Sequence, residues 1–328
     1  MGDATGALQV DLPDLRAFAD LVDGLSSDLA QVANHVDTHC VSTEFGPLLD
    51  KLSGEYVSLL PQIKSYFDEQ TSRLRTFATA LDRTLTDYVI TDDGVAERFG
   101  SDGITGGGGK SNRFWTQDMP LSSPTADESE LPEIDFGFPF DQLAWAVDTV
   151  CGFDVRREVT DIIVGNVVEV STQSNAWYSA SSLVSTTQWN LWRANSWIGA
   201  TWSGEAALES IGSSEEWVTT FENEAVDLDN VALHLKDIAA DAVEVGQLVV
   251  DLILFAVDLI ASAWTAQFIP IYGQVKFAKK AWEAYDKCKE AWDKISMFKD
   301  LLEIVIGYLR VLHDKFNPVE LPSTASYA

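Results

Sequence analysis

The sequence predicts an all-α protein of 328 residues, built mainly from long helical hairpins. Apolar residues recur at steps of three and four over several long segments, as they do on one face of an α-helix. No strand-like alternation of any length is found, and glycines and prolines cluster between the periodic segments. We therefore expect two hairpins that form a four-helix bundle, followed by a C-terminal helical hairpin with coiled-coil-like heptads.

Residues 1–100 are expected to form the first hairpin. Asp11 and Pro13 suit the start of its first helix, and Phe45-Gly46 lie near its bend. Pro61 falls within the second apolar stripe, where we expect it either to kink the helix or to mark its true start. The two stripes are Leu15, Phe18, Leu21, Leu25, Leu29, Val32 and Val36, and then Tyr56, Leu60, Ile63, Phe67, Leu74, Phe77, Leu81, Leu85 and Tyr88.

A linker and a second hairpin follow. Residues 101–140 lose the helical periodicity and are expected to form an interdomain linker, flexible at its glycines and stiffer at its prolines. Residues 141–244 are expected to form a hairpin that turns at Trp202-Ser203-Gly204. Glycine can adopt the backbone angles of a tight reversal, and tryptophan can bury a large ring beside it.

Residues 245–316 are expected to form an apolar helix and a long final helix, before a tail at 317–328. The longest uncharged run, 259–275, contains Pro270 and Gly273 and is shorter than the roughly 20 residues of a membrane span. We therefore expect a helix that is buried on most sides. It carries an acidic stripe and the final helix carries many lysines, so we expect opposite charge to hold this hairpin in part. The stripe is Asp237, Asp241, Glu244, Asp251 and Asp258.

Charge and cysteine usage limit the function classes. The chain has 51 acidic and 22 basic residues, a net charge of -29, which argues against nucleic-acid binding because phosphate backbones would be repelled. Cys288 is expected to be a buried thiol, and a bridge between Cys40 and Cys151 is left open. The first ten residues lack the basic and apolar regions of a cleavable signal peptide, so we expect none.

Few residues are arranged for chemistry. The stretch 106–111 resembles the end of a phosphate-binding loop, but Ile104 occupies the position of its first glycine, which favours a linker. His35 and His39 could share a metal ion on one helix face, whereas a polar helix end is the simpler interpretation. Nucleophile motifs are not found in the sequence. We therefore predict no catalytic residues, no cofactor and no metal, and do not expect an enzyme.

Two short motifs resemble those of a known family. Tyr88, Thr91, Asp92 and Ala96 match the extended form of the Tyr-x-x-x-Asp export signal of actinobacterial type VII (ESX) secretion substrates. Residues 10–100 resemble the EspC-like substrates of that system.

The second motif lies on the other hairpin. Trp202 and Gly204 resemble the Trp-x-Gly element of the WXG helical-hairpin family, and residues 269–273 with the following helix are similar to helices that follow such hairpins in long substrates.

The resemblance implies a function. It implies a non-enzymatic substrate, exported without a cleavable signal peptide, that is secreted or associated with the cell envelope and acts as effector, carrier or envelope component. Its signal residues would be Tyr88, Asp92, Trp202 and Gly204, with Trp202 packing near Tyr88 as in a heterodimer fused into one chain. The implied partners are the type VII secretion ATPase and a dedicated chaperone or co-secreted helical protein; pairing within or between chains is left open.

Two other classes of function are alternatives to this one. One is a membrane-active effector, pore-forming or inserting at low pH, in which residues 245–275 contact the membrane once the acidic stripe has lost its charge. The other is an enzyme or toxin, which the short tail and the lack of catalytic signatures disfavour.

Overall fold

The computed structural model describes residues 9–41, 45–99, 114–127, 137–160, 166–264, 272–318 and 321–322. Its helices are α1 (Leu12–His39), α2 (Asp50–Phe99), α3 (Gly137–Cys151), α4 (Val167–Ile198), α5 (Glu205–Ala263) and α6 (Tyr272–Lys315), with a π-helical turn at Arg156–Thr160. Two short strands, β1 (Gln9–Val10) and β2 (Trp202–Ser203), pair antiparallel. The predicted all-α class is confirmed.

The first hairpin forms as its apolar pattern predicts. Asp11 caps α1 by accepting a hydrogen bond from the backbone N–H of Asp14 at 3.1 Å. Phe45 is buried at the bend, and Gly46 has a φ of 78°, a left-handed conformation that favours glycine. Pro61 lies inside α2, which begins at Asp50, so the proline does not mark the start of the helix.

The helices pack as a bundle. α1 packs against α2 and α4, and α4 packs against α5. α6 packs against both α5 and α2, so that it covers the seam between the two hairpins on the side away from α1 and α4. The buried apolar residues of all these helices form one continuous core. The predicted bundle of two hairpins is present, and the C-terminal hairpin shares its core.

Polar contacts link α1 and α2 to α4 inside this core. The indole Nε1 of Trp177 on α4 donates to the hydroxyl of Tyr56 on α2 at 2.7 Å, and the two rings meet edge to face. The ring of His35 on α1 is buried, and its Nε2 contacts the carbonyl oxygen of Ala176 at 3.0 Å. Burial lowers the pKa of His35. This histidine therefore belongs to the interface between the hairpins.

The cysteines remain thiols. Cys40 is buried beside Tyr56, whereas Cys151 lies on α3 against α6, and all three cysteines are free. A Cys40 to Cys151 bridge is therefore not formed. Cys288 is buried, as predicted, and its burial raises the pKa of this thiol to about 12.

The C-terminal hairpin differs from the sequence expectation in two respects. α5 is one continuous helix that crosses the boundary expected at 244/245. The acidic stripe on α5 faces solvent, and lysines of α6 such as Lys280 and Lys287 pair with glutamates one turn along their own helix. Among the described residues, the ion pair between Lys315 and Asp227 alone joins α5 to α6. Apolar packing therefore holds this hairpin, and the expected role of the stripe and the lysines is wrong.

The apolar part of α5 is also less buried than expected. Among the described helices, α5 is the one that is long and apolar enough to cross a membrane by length and composition, and 39% of its most apolar window is buried. Leu248, Leu254 and Phe255 are exposed on this part of the helix. The expectation of burial on most sides is wrong, because α4, α3 and α6 together cover only part of the helix circumference.

Part of the expected linker has a defined path. Residues 114–127, here called the strap, run antiparallel to α4. The side-chain amide of Asn190 makes two hydrogen bonds to the backbone of Gln117. Its Oδ1 accepts from the Gln117 N–H at 2.8 Å, and its Nδ2 donates to the Gln117 carbonyl at 3.0 Å. Further along, Asn175 donates to the carbonyl of Thr125 at 2.7 Å. The strap contains Pro120 and Pro124, where the linker was expected to be stiffer, and the glycine run at 106–109, where flexibility was expected, lies outside the described residues.

The Tyr56 hydroxyl provides a test of the α2–α4 contact. Tyr56→Phe removes the acceptor of the buried Trp177 N–H, and a buried donor without a partner costs about 1–3 kcal/mol. We expect the free energy of unfolding, measured by chemical denaturation, to fall by that amount. The matched control is Tyr178→Phe, because Tyr178 follows Trp177 on α4 and its side chain is 58% exposed. This variant should change the free energy of unfolding by less than about 0.5 kcal/mol. Equal effects of the two variants would contradict this account of the interface.

Candidate functional site

The candidate site is the turn between α4 and α5, and the N-terminal segment holds it in place. Val10 pairs with Trp202 and Gln9 with Ser203 across the two short strands. Next to them, the backbone N–H of Asp11 donates to the carbonyl of Thr201 at 3.0 Å. The turn is therefore tied to the start of α1 in the other hairpin. Sequence reasoning missed this pairing, since two residues in each strand are too few to show an alternating pattern.

Gly204 fits the conformation at the start of α5. Its φ is 116°, in a region that residues with a β-carbon rarely adopt. It occupies the N-cap position without a side-chain hydrogen bond, and its carbonyl accepts from the backbone N–H of Leu208 at 3.1 Å. The glycine of the Trp-x-Gly element is therefore explained by backbone geometry alone.

Trp202 lies against Tyr88 of the other hairpin. Its side chain is 2% exposed, and its indole Nε1 donates to the Tyr88 hydroxyl at 3.3 Å. Tyr88 is half-buried near the C-terminal part of α2 and packs against the common core. The packing of Trp202 near Tyr88 within one chain is therefore present as predicted, whereas its role in export stays a prediction.

Asp92 follows Tyr88 on the same helix. α2 continues without a break through Phe99, so the backbone of Asp92 lies one turn beyond Tyr88. The side chains of Asp92 and Ala96 are outside the described part of the structure. Between Tyr88 and Asp92, Ile90 is 64% exposed and Thr91 is also exposed. The structure thus brings Tyr88, Trp202 and Gly204 to one end of the bundle, with the helix of Asp92 adjoining them.

Aromatic and cationic side chains surround this end of α4. The ring of Phe114 in the strap packs edge to face on Trp197 and also contacts Phe18 of α1. The guanidinium of Arg193 lies 3.3 Å from the centroid of the Trp115 ring. It also lies near Trp189 and Trp197. Such cation–π contacts fix the strap on α4 close to the candidate site.

A groove between α2 and α5 adjoins the Trp202 and Tyr88 pair. It has a volume of about 250 Å³. Its charged lining residues are Arg83, Asp87 and Glu209. The remaining lining residues are Phe77, Ala80, Leu81, Thr84, Ala206, Ser210 and Ser213. No histidine or cysteine occurs among these lining residues.

A metal site is not found in the described residues. They contain no group of three or more His, Cys, Asp or Glu side chains positioned to hold a metal ion. The rings of His35 and His39 lie 4.8 Å apart, but His35 is engaged with Ala176 at the helix interface.

Comparisons of the chain with protein-family models, curated proteins and solved structures gave no match. The resemblance to type VII secretion substrates therefore depends on the two motifs in the sequence and on their placement in the fold.

The burial of Trp202 predicts a structural cost for its removal. Trp202→Ala deletes a ring that is 2% exposed, and large-to-small changes of buried aromatic residues cost about 3–5 kcal/mol. We expect that loss in the free energy of unfolding by chemical denaturation. Trp192→Ala, on a 54% exposed tryptophan of α4, is the control and should stay within about 0.5 kcal/mol of the parent protein. A loss below about 1 kcal/mol for Trp202→Ala would show that its ring is not packed as described.

Proposed function

We propose that this protein is a non-enzymatic substrate of an actinobacterial type VII secretion system, and that it presents both elements of the export signal in a single chain. The observation that supports the proposal is the contact between the Trp202 indole and the Tyr88 hydroxyl at 3.3 Å. The two residues are 114 positions apart and lie on different hairpins. If each motif were present in the sequence by chance, nothing would require the two motifs to lie in contact in the fold.

The burial and exposure of the residues around this pair also support the proposal. Trp202 is buried, whereas Tyr88 is half-buried and adjoins exposed residues of α2. In this proposal the tryptophan therefore positions the tyrosine, and α2 presents the signal. Helical continuity sets Asp92 one turn beyond Tyr88. The backbone ties at Thr201 and Val10 keep the turn from shifting relative to α1. In this proposal the secretion ATPase contacts the exposed part of α2 near residues 88–92.

The proposal also assigns partners and a location. The first partner is the type VII secretion ATPase; a dedicated chaperone or a co-secreted helical protein would bind the bundle before export. The exported protein is secreted or remains at the cell envelope, where it acts as effector, carrier or envelope component. The pairing of the hairpins within one chain removes the need for a second hairpin protein to complete the signal.

Export from an actinobacterial host with an active type VII system tests the proposal. Tyr88→Ala, Asp92→Ala and Trp202→Phe should each reduce the secreted fraction at least severalfold, because each alters the composite signal. Trp202→Phe is chosen since it keeps an aromatic ring in the buried position and so limits the loss of stability. Asp82→Ala, at an exposed position of α2, is the control for the helix surface and should be secreted normally.

The same experiment includes a host that lacks the secretion ATPase. There the parent protein should stay inside the cells. Thermal unfolding of each variant checks that reduced export does not follow from unfolding. Normal secretion of all three signal variants, or secretion that does not depend on the ATPase, would refute the proposal.

A second candidate function is a membrane-active effector, pore-forming or inserting at low pH. The observation that favours it is the apolar part of α5, with exposed Leu254 and Phe255 and a composition compatible with a membrane span. Asp251 and Asp258 are exposed on the same part of the helix, and their ionised carboxylates oppose insertion at neutral pH. Protonation at low pH would lower that barrier.

Leakage from liposomes distinguishes this function. A membrane-active protein should release a trapped dye increasingly as the pH is lowered, because a charged side chain opposes insertion more than a neutral one does. Phe255→Asp should abolish the release, and Val226→Asp, at an exposed position of α5 outside the apolar part, should not. If no dye is released at any pH, this second function is excluded.

A further inference from the structure

A buried carboxyl group joins the two hairpins away from the candidate site. Glu224 on α5 is 4% exposed. On α2, the Tyr66 hydroxyl donates to its Oε1 at 2.7 Å, and the side-chain Nε2 of Gln70 donates to the same oxygen. The two residues on α2 are one helical turn apart, so both reach across to α5 at the same level. This contact links the first hairpin to the second.

Two oxygens at this contact remain without a hydrogen-bond partner. They are Oε2 of Glu224 and Oε1 of Gln70, and both are buried. Each belongs to a side chain whose other polar atom already takes part in the same contact. Buried polar atoms without partners are uncommon in folded proteins, and each one destabilises the folded state. Because these two oxygens belong to side chains that already contact each other, the arrangement indicates a proton between Oε2 of Glu224 and Oε1 of Gln70.

A neutral carboxylic acid provides that proton. An ionised Glu224 has only acceptor oxygens, so its Oε2 and the amide oxygen of Gln70 would be two acceptors without a donor. A protonated carboxyl group has one O–H donor and one carbonyl acceptor, which complement the oxygen and the N–H of a primary amide. The acid and the amide can then form two parallel hydrogen bonds, and no charge is buried.

We propose that Glu224 is present as the neutral acid, that its Oε2–H donates to Oε1 of Gln70, and that this two-bond pair is a proton-dependent latch between the hairpins. On alkalisation, hydroxide removes the Oε2 proton as water. The O–H donor bond is lost and a carboxylate is left in the core, opposite the amide oxygen. The latch is therefore closed at acidic and neutral pH and weakened at alkaline pH. It is independent of the proposed export function.

The surroundings favour the neutral form. Burial raises the pKa of Glu224 to about 8, against the opposing effect of the hydrogen bonds from Tyr66 and Gln70. The charge of Asp227, one turn along α5, raises it further. Asp227 is itself paired with Lys315 of α6 at 2.6 Å, and its carbonyl accepts from the hydroxyl of Tyr308.

Among the described residues, no cationic side chain contributes to the pKa of Glu224. Phe316, just after α6, places its ring edge to face on Tyr66 at a centroid distance of 5.1 Å. α4 contributes Ser181, whose hydroxyl donates to the carbonyl of Ala225 at 2.8 Å. Neither the Phe316 ring nor the Ser181 hydroxyl ionises between pH 4.5 and about pH 8.

The sign of the pH dependence follows from the two states. The unfolded carboxyl group loses its proton near the ordinary value of 4.5, whereas the folded one keeps it up to about 8. Between these values the folded state binds one more proton than the unfolded state, so stability falls as the pH rises. Below the lower value and above the higher one, this group adds no slope.

Denaturation of four proteins at several pH values tests the latch: the parent chain, Glu224→Gln, Glu222→Gln and the double variant Gln70→Glu with Glu224→Gln. Glu224→Gln keeps the shape and replaces the acid–amide pair by an amide–amide pair that does not titrate. Glu222→Gln changes an exposed carboxyl on the same helix. The double variant exchanges the two groups and restores an acid–amide pair in the opposite orientation.

From about pH 6 to about pH 9, the unfolding constant of the parent chain should rise on the order of a hundredfold more than that of Glu224→Gln. Glu222→Gln should follow the parent chain, and the double variant should regain the pH dependence. If Glu224→Gln shows the same pH dependence as the parent chain, the latch does not exist.

Infrared spectroscopy of the folded parent protein provides a second measurement that does not depend on any variant's stability. With glutamate labelled by carbon-13 in its carboxyl group, we expect the band of a protonated acid at neutral pH, and its loss at alkaline pH. Glu224→Gln should lack this band. Only ionised carboxylate bands at neutral pH in the parent chain would overturn the proposal.

Discussion

The structure depends on the contact between its two helical hairpins, in which tyrosines of α2 accept indole N–H groups from the second hairpin. Near the bend of the first hairpin, Tyr56 accepts from Trp177, and near the other end of α2, Tyr88 accepts from Trp202. In each pair the tryptophan buries a large ring, and the tyrosine hydroxyl accepts the indole N–H that would otherwise be buried without a partner. The two contacts set both ends of α2 against the second hairpin, and the apolar stripes between them are then buried in one core.

This constraint connects the fold to the proposed function. Because Trp202 is held by Tyr88 and by β1, the turn between α4 and α5 has one position relative to α2. The strap, fixed on α4 by Asn190 and Arg193, occupies the α4 surface next to the turn. An export signal that needs two hairpins can in this way be complete in one molecule. α6 and the buried Glu224 contact stabilise the same seam further along α2.

The sequence predicts what depends on local periodicity. The apolar stripes of the helices, the bend at Phe45-Gly46 and the burial of Cys288 could all be predicted, because each follows from spacing along one segment. The strand pairing of Val10 with Trp202, the clamp of Asn190 on Gln117 and the pair of Glu224 with Gln70 could not. Each joins residues far apart in the chain through one or two polar atoms, and these leave no periodic signal. The partial exposure of α5 was missed for a related reason, since apolar composition does not reveal how many neighbours a helix will have.

The most direct test of the account is whether Trp202 and Tyr88 meet within a single molecule in solution. Nuclear Overhauser contacts between the Trp202 indole N–H and the Tyr88 ring can be recorded in mixtures of labelled and unlabelled chains, with sedimentation to establish the oligomeric state. We predict contacts within labelled chains of a monomeric protein, unaffected by dilution with unlabelled chains. Contacts seen only between chains of a dimer, or none at all, would contradict a signal completed within one chain.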